Sequence, residues 1–66
     1  MNATHRAVEM MEAEGTHFEG KLAELWFVCD SKNRAILETA FVPTFGKWED
    51  RLCRQLEIEV EAYYNQ

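Results

Sequence analysis

The chain has 66 residues, 47% of them hydrophobic and 12% aromatic, and its net charge is −5. That length predicts a single small domain over residues 1–66 without a second core, and the composition is too apolar for a disordered chain. The acidic balance disfavours nonspecific binding to nucleic acid and favours basic partners. No apolar run approaches the roughly 20 residues of a membrane helix, and the first residues lack an apolar signal core. We therefore expect a cytoplasmic protein that does not enter a membrane.

The first predicted helix covers residues 3–14. Asn2 or Thr4 can cap its N-terminus, and Gly15 suits a left-handed residue at its C-terminal end. Its apolar face combines Ala3, Ala7, Met10 and Met11.

A second helix is predicted over residues 17–29. Thr16 and Glu19 have the spacing of a capping box, in which the threonine hydroxyl and the glutamate carboxylate each accept a first-turn N–H. Apolar side chains then recur at helical spacing. They are Phe18, Leu22, Leu25, Trp26 and Cys29.

The middle of the chain allows two interpretations. A short helix over residues 32–41, capped by Asp30 or Ser31, would bury one apolar face. That face would contain Ile36, Leu37, Ala40 and Phe41. Alternatively, residues 25–29 and 35–39 could pair as a β-hairpin, because the first segment is rich in aromatic and β-branched residues.

The last predicted helix is the longest. Pro43 lacks an N–H and should end the preceding element at Val42, after which Thr44 can cap the new helix. One stripe of this helix is apolar and consists of Phe45, Trp48, Leu52, Leu56, Val60 and Tyr63. Residues 56–61 also alternate as a strand would, but the continuous stripe favours a helix. We expect an all-α fold, a compact bundle of three to four short helices, and the alternative is α+β with a central hairpin between two helices.

The residue pattern does not favour an enzyme. The only serine, Ser31, has no histidine near it in sequence to act as its base, and the three glycines are too scattered for a phosphate-binding loop. Structural zinc sites use ligands in close pairs, whereas the histidines and cysteines are isolated at His5, His17, Cys29 and Cys53. We expect the two cysteines to be buried free thiols, and we predict no catalytic, cofactor-binding or metal-binding residue.

A helix-turn-helix is the main alternative function. The third helix would begin with Lys32, Asn33 and Arg34, whose side chains suit phosphates and base edges. The negative net charge and the position of Glu38 within that helix argue against a DNA-binding regulator. Nucleic acid is therefore not the expected partner.

The charges of the last helix run against its dipole. Its basic residues, Lys47, Arg51 and Arg54, precede its acidic residues, Glu57, Glu59 and Glu61. Helix dipoles prefer the reverse order. Two copies packed antiparallel would set each basic half against the acidic half of the other copy. We therefore predict a homodimer with contacts at Lys47, Arg51, Arg54 and Ile58.

A protein-interaction module is the predicted function. Phe27 and Val28 fall outside the apolar stripe of the second helix and could form a contact patch. The predicted partner-binding residues are Phe27, Val28, Glu57, Ile58, Glu59 and Glu61. In size, acidity and aromatic content the chain resembles the short proteins by which phages and mobile elements block host machinery, a likeness that involves no motif. It implies a non-enzymatic inhibitor that binds and blocks or adapts another protein, and the acidic charge favours a partner with a basic surface.

Overall fold

The computed structural model describes residues 3–64 as four α-helices. They are α1 (His5–Glu14), α2 (His17–Val28), α3 (Ser31–Ala40) and α4 (Val42–Tyr64). No strand occurs within residues 3–64, so the helical prediction is confirmed and the hairpin alternative is wrong. The helix α4 is the longest, with 23 residues.

Side-chain caps begin the first three helices. Thr4 and Asp30 cap α1 and α3, and each accepts a hydrogen bond from a first-turn backbone N–H. Thr16 and Glu19 form the predicted capping box at the start of α2. Such caps typically stabilise a helix by about 1 kcal/mol each. Asn2, the alternative cap for α1, lies outside the described residues.

Gly15 does not adopt the predicted left-handed conformation. Its φ of −80° and ψ of 177° are extended. A glycine is needed here because of a close approach, since a Cβ atom would lie 2.5 Å from the carbonyl oxygen of Met11 and 2.8 Å from Cβ of Glu19. The turn between α1 and α2 is therefore constrained by packing rather than by backbone handedness.

A single residue, Phe41, links α3 to α4. The expectation that Pro43 excludes Val42 from a helix and that Thr44 caps the next one was wrong, because α4 begins at Val42. Proline is compatible with the first helical turn, where its missing N–H would have no partner within the helix. The carbonyl of Phe41 accepts the hydrogen bond from Phe45 N–H at 3.0 Å, so Phe41 takes the capping position.

The hydrophobic core forms where α1 packs against α2 and α4. Its buried residues are Ala7, Val8, Met11, Leu22, Ala23, Trp26, Phe45, Trp48 and Leu52. The predicted stripe of α2 is only partly inside, since Phe18 and Leu25 are exposed. The buried face of α2 is rotated toward Ala23, whose small side chain permits close packing.

The helix α3 contributes less to the core than its sequence suggests. Leu37 and Phe41 pack half-buried against the core. Ile36 and Ala40, which were expected to be buried, are exposed. The fully packed position of α3 is instead taken by a carboxylate, Glu38.

Within residues 3–64, no helix combines the length and the apolar character that crossing a bilayer requires.

Candidate partner-binding surface

The N-terminal part of α4 is anchored in the core. Phe45, Trp48 and Leu52 are buried. Beside them, the buried Glu19 of α2 accepts a hydrogen bond at Oε2 from Trp48 Nε1 at 2.9 Å and another from Lys47 Nζ. Because both donors lie on α4, these bonds fix its position along α2 and its rotation.

The carboxylate of Glu19 is strongly favoured over the acid. Its pKa is lowered from 4.5 to about 2, first by the hydrogen bond from Lys47 and then by those from the Thr16 N–H and the Trp48 indole. Burial acts in the opposite direction, because it disfavours the charged form. The hydrogen bonds outweigh burial, so Glu19 remains charged inside the fold at neutral pH.

A second tryptophan is held in the same way. Oε1 of Glu38 accepts a hydrogen bond from Trp26 Nε1 at 2.9 Å and one from Ala3 N–H at 3.0 Å. The two buried indoles are thus each paired with a buried glutamate of another helix. Neither glutamate was predicted to be buried, although a tryptophan on an apolar stripe indicates that an acceptor must lie nearby.

The basic residues at the start of α4 are largely engaged within the chain. Lys47 pairs with Glu19, as described. The guanidinium of Arg51 lies 4.5 Å from the centroid of the Trp48 ring and 3.9 Å from Oε1 of Glu14. Among the described residues, Arg54 makes no salt bridge.

The start of α1 also contacts α4. Oε1 of Glu49 accepts a hydrogen bond from Thr4 N–H at 2.6 Å. Further along α4, Arg6 forms a salt bridge with Glu59 at 3.4 Å. These contacts lie on one side of α4 and do not cover its apolar stripe beyond Leu52.

Every residue in the distal half of α4 (residues 53–64) is exposed. Leu56, Val60 and Tyr63, which we call the distal stripe, are 38%, 52% and 74% exposed. They continue the stripe that buries Phe45, Trp48 and Leu52 in the core. Leu56 and Val60, with Glu57 and Glu61 beside them, line a shallow groove of about 430 Å³. The stripe was predicted correctly, and the other helices leave its distal part exposed.

The residues predicted for the homodimer are all exposed on α4. Ile58 is 60% exposed, so an apolar contact point is present there. Since Lys47 and Arg51 bind residues of their own chain, Arg54 and Ile58 are the members of this set whose side chains are left for a second copy.

The residues predicted to bind a partner do not form one surface. Val28 is 81% exposed at the end of α2, whereas Phe27 is half-buried with its ring centroid 4.9 Å from that of His5. Glu57 and Glu61 border the groove, while Ile58 lies on the outer side of α4 and Glu59 binds Arg6. The structure therefore brings two of these residues, Glu57 and Glu61, together beside the distal stripe.

Of the three residues proposed for DNA recognition, Arg34 has a structural role. Arg34 Nε donates to the Trp26 carbonyl at 2.8 Å, and its Nη2 donates to the Phe27 carbonyl at 3.2 Å. Its guanidinium also lies 4.2 Å from the centroid of the Trp26 ring. Arg34 thus satisfies carbonyls at the end of α2, whereas Lys32 and Asn33 are exposed.

No protein-family model, curated protein or solved structure matches this chain.

The two cysteines are less buried than predicted. Cys29 is half-buried at the end of α2, and Cys53 is exposed on α4. Within residues 3–64, no three metal-binding side chains of His, Cys, Asp or Glu come together.

Proposed function

We propose that this chain is a small acidic protein-interaction module that binds another protein through the distal half of α4 and thereby blocks or adapts that protein. The observation that carries this proposal is the uncovered distal stripe. Leu56, Val60 and Tyr63 extend the core-facing stripe for about three turns past Leu52, the last residue of α4 that is buried. Exposed apolar surface of this kind is typical of interaction sites.

The anchoring of α4 supports the same proposal. Because Glu19 and the core fix the first part of the helix, its distal half is presented on a rigid base, and binding does not require a flexible segment to become ordered. Tyr63 adds an aromatic side chain, a residue type enriched in binding hot spots. The likeness in size and acidity to phage and mobile-element inhibitors agrees with such a mode of action. As part of the proposal we place the chain in the cytoplasm, where free thiols such as Cys53 stay reduced.

Site-specific photo-crosslinking tests this function. A photoreactive phenylalanine at position 60 should form a discrete adduct with one partner protein in the native host, because that side chain lies on the distal stripe. The same residue at position 12, which is exposed on α1, is the matched control and should give no such adduct. Adding Leu56→Asp to the position-60 variant should remove the adduct. Identical adducts from positions 60 and 12, or none from position 60, would contradict the proposal.

A homodimer through the outer side of α4 is a second proposal, supported by the exposed Ile58 and by Arg54. With Lys47 and Arg51 engaged internally, this contact is small, and we expect a dimer only at about 100 µM or above, the range of weak association. Sedimentation equilibrium should show that Ile58→Glu shifts the chain to monomer. Ile36→Glu, at a similarly exposed position of α3, should not. A wild-type monomer throughout this range refutes the dimer.

A further inference from the structure

We propose that the partner element seated on the distal stripe is an amphipathic helix whose apolar face is bordered by lysine or arginine side chains, because Leu56 and Val60 lie directly beside the carboxylates of Glu57 and Glu61. This inference rests on the proposed function and names the chemistry of the partner.

The shape of the surface suits a helix. The stripe runs for about 10 Å along α4 from Leu56 to Tyr63, and its spacing of four and three residues is the spacing that a facing helix presents. The backbone of α4 is hydrogen-bonded within the helix, so it offers no edge to an added strand. Recognition must therefore come from side chains, with apolar residues of the partner over Leu56 and Val60.

The charges beside the stripe favour a basic partner. Glu57 and Glu61 lie one turn apart on the same edge, and neither forms a salt bridge with a described residue. Like charges at this spacing destabilise a helix slightly, and Glu61 near the C-terminal end also opposes the helix dipole. A cation placed between them by a partner would relieve both effects.

The same charges argue against a second copy on this stripe. Residues 53–64 contain one basic and three acidic side chains, a net charge of −2. Two copies that covered each other's distal stripe would have to overlap these segments, in either direction, and would bring acidic surface against acidic surface. Any homodimer is therefore expected on the outer side of α4, as proposed above, and the stripe is left for a basic partner.

Binding of designed helical peptides tests this inference with the full chain. One labelled probe of about 18 residues carries a leucine stripe bordered by lysines, and a second carries the same stripe bordered by glutamates. Fluorescence anisotropy should show that the lysine probe binds at least about tenfold more tightly. Its affinity should fall when salt is raised from roughly 0.05 to 0.2 M, because the charges are exposed.

Matched variants distinguish recognition of Glu57 and Glu61 from a general effect of the chain's negative charge. Glu57→Lys with Glu61→Lys should reverse the preference between the probes, whereas Glu12→Lys with Glu24→Lys makes the same change in net charge elsewhere and should leave the preference in place. Val60→Asp should weaken binding of the lysine probe by about tenfold or more. Circular dichroism of each variant verifies that the helices remain.

Three results would overturn the inference. The first is equal affinity of the chain for the two probes. The second is an equal loss of affinity for the lysine probe in the Glu57/Glu61 and the Glu12/Glu24 double variants. The third is a homodimer that Val60→Asp dissociates, which would assign the stripe to a second copy. In the crosslinking experiment above, an adduct between position 60 and an acidic or uncharged segment would also refute the basic partner while leaving the interaction function intact. The absence of any adduct would refute the function itself.

Discussion

Replacing Trp48 with alanine is expected to leave the chain largely unfolded at room temperature. Trp48 is among the largest fully enclosed side chains, and truncating a buried tryptophan typically costs about 3–5 kcal/mol. The variant also removes the indole N–H that binds Glu19. A domain of this length has a free energy of unfolding of only about 3–10 kcal/mol. The substitution therefore removes most of the stability of the fold.

Urea unfolding followed by circular dichroism measures this effect. Tyr63→Ala on the same helix is the matched control, and its free energy of unfolding should stay within about 0.5 kcal/mol of wild type because the ring is exposed. A Trp48→Ala chain that unfolds at the wild-type urea concentration would show that the first part of α4 is not anchored as described.

Acidification should destabilise the fold through Glu19. Its pKa is about 2 in the folded chain and 4.5 as the reference value for the unfolded chain. The unfolded state therefore takes up a proton first, so the stability that Glu19 contributes is fully present above pH 4.5 and is lost as the pH falls toward 2. The shift corresponds to at most about 3 kcal/mol, and less where water screens the half-exposed Lys47.

The comparison with Glu19→Gln isolates this group. The glutamine amide keeps an acceptor for Trp48 but carries no charge. The free energy of unfolding of the Glu19→Gln chain should therefore be lower than that of wild type at pH 7. It should also change less between pH 5 and pH 2, the range that brackets the pKa shift of Glu19. Glu12→Gln, an exposed position, should retain the wild-type pH dependence. Identical pH profiles for wild type and Glu19→Gln would contradict the assigned ion pair.

The sequence was informative about which residues share a face and less so about what covers that face. The stripe from Phe45 to Tyr63 was predicted residue by residue, because periodicity is a local property of α4. Whether Leu56 and Val60 are buried depends on the lengths of other helices. At 1.5 Å per residue α4 is about 35 Å long, whereas α1 and α2 are about 15 and 18 Å. Two short helices cannot cover the long one.

The polar interior was the part least visible in the sequence. Glu19 was identified as part of a capping box, but its second oxygen binds Lys47 and Trp48, which lie 28 and 29 residues away. Glu38 was interpreted as an argument against DNA binding, and its contact with Trp26 depends on how α3 crosses α2. Such pairs arise from tertiary packing, and local sequence rules do not describe them.

The continuity between the distal stripe and the core has an energetic consequence. Anything seated on Leu56 and Val60 extends the same apolar layer that holds Trp48, and by mass action it stabilises the folded chain in proportion to its occupancy. A ligand at one hundred times its dissociation constant adds about 2.7 kcal/mol, a large share of what so small a domain has. The bound protein would therefore outlast the free one under heat or proteolysis, and its cellular abundance would follow that of its partner.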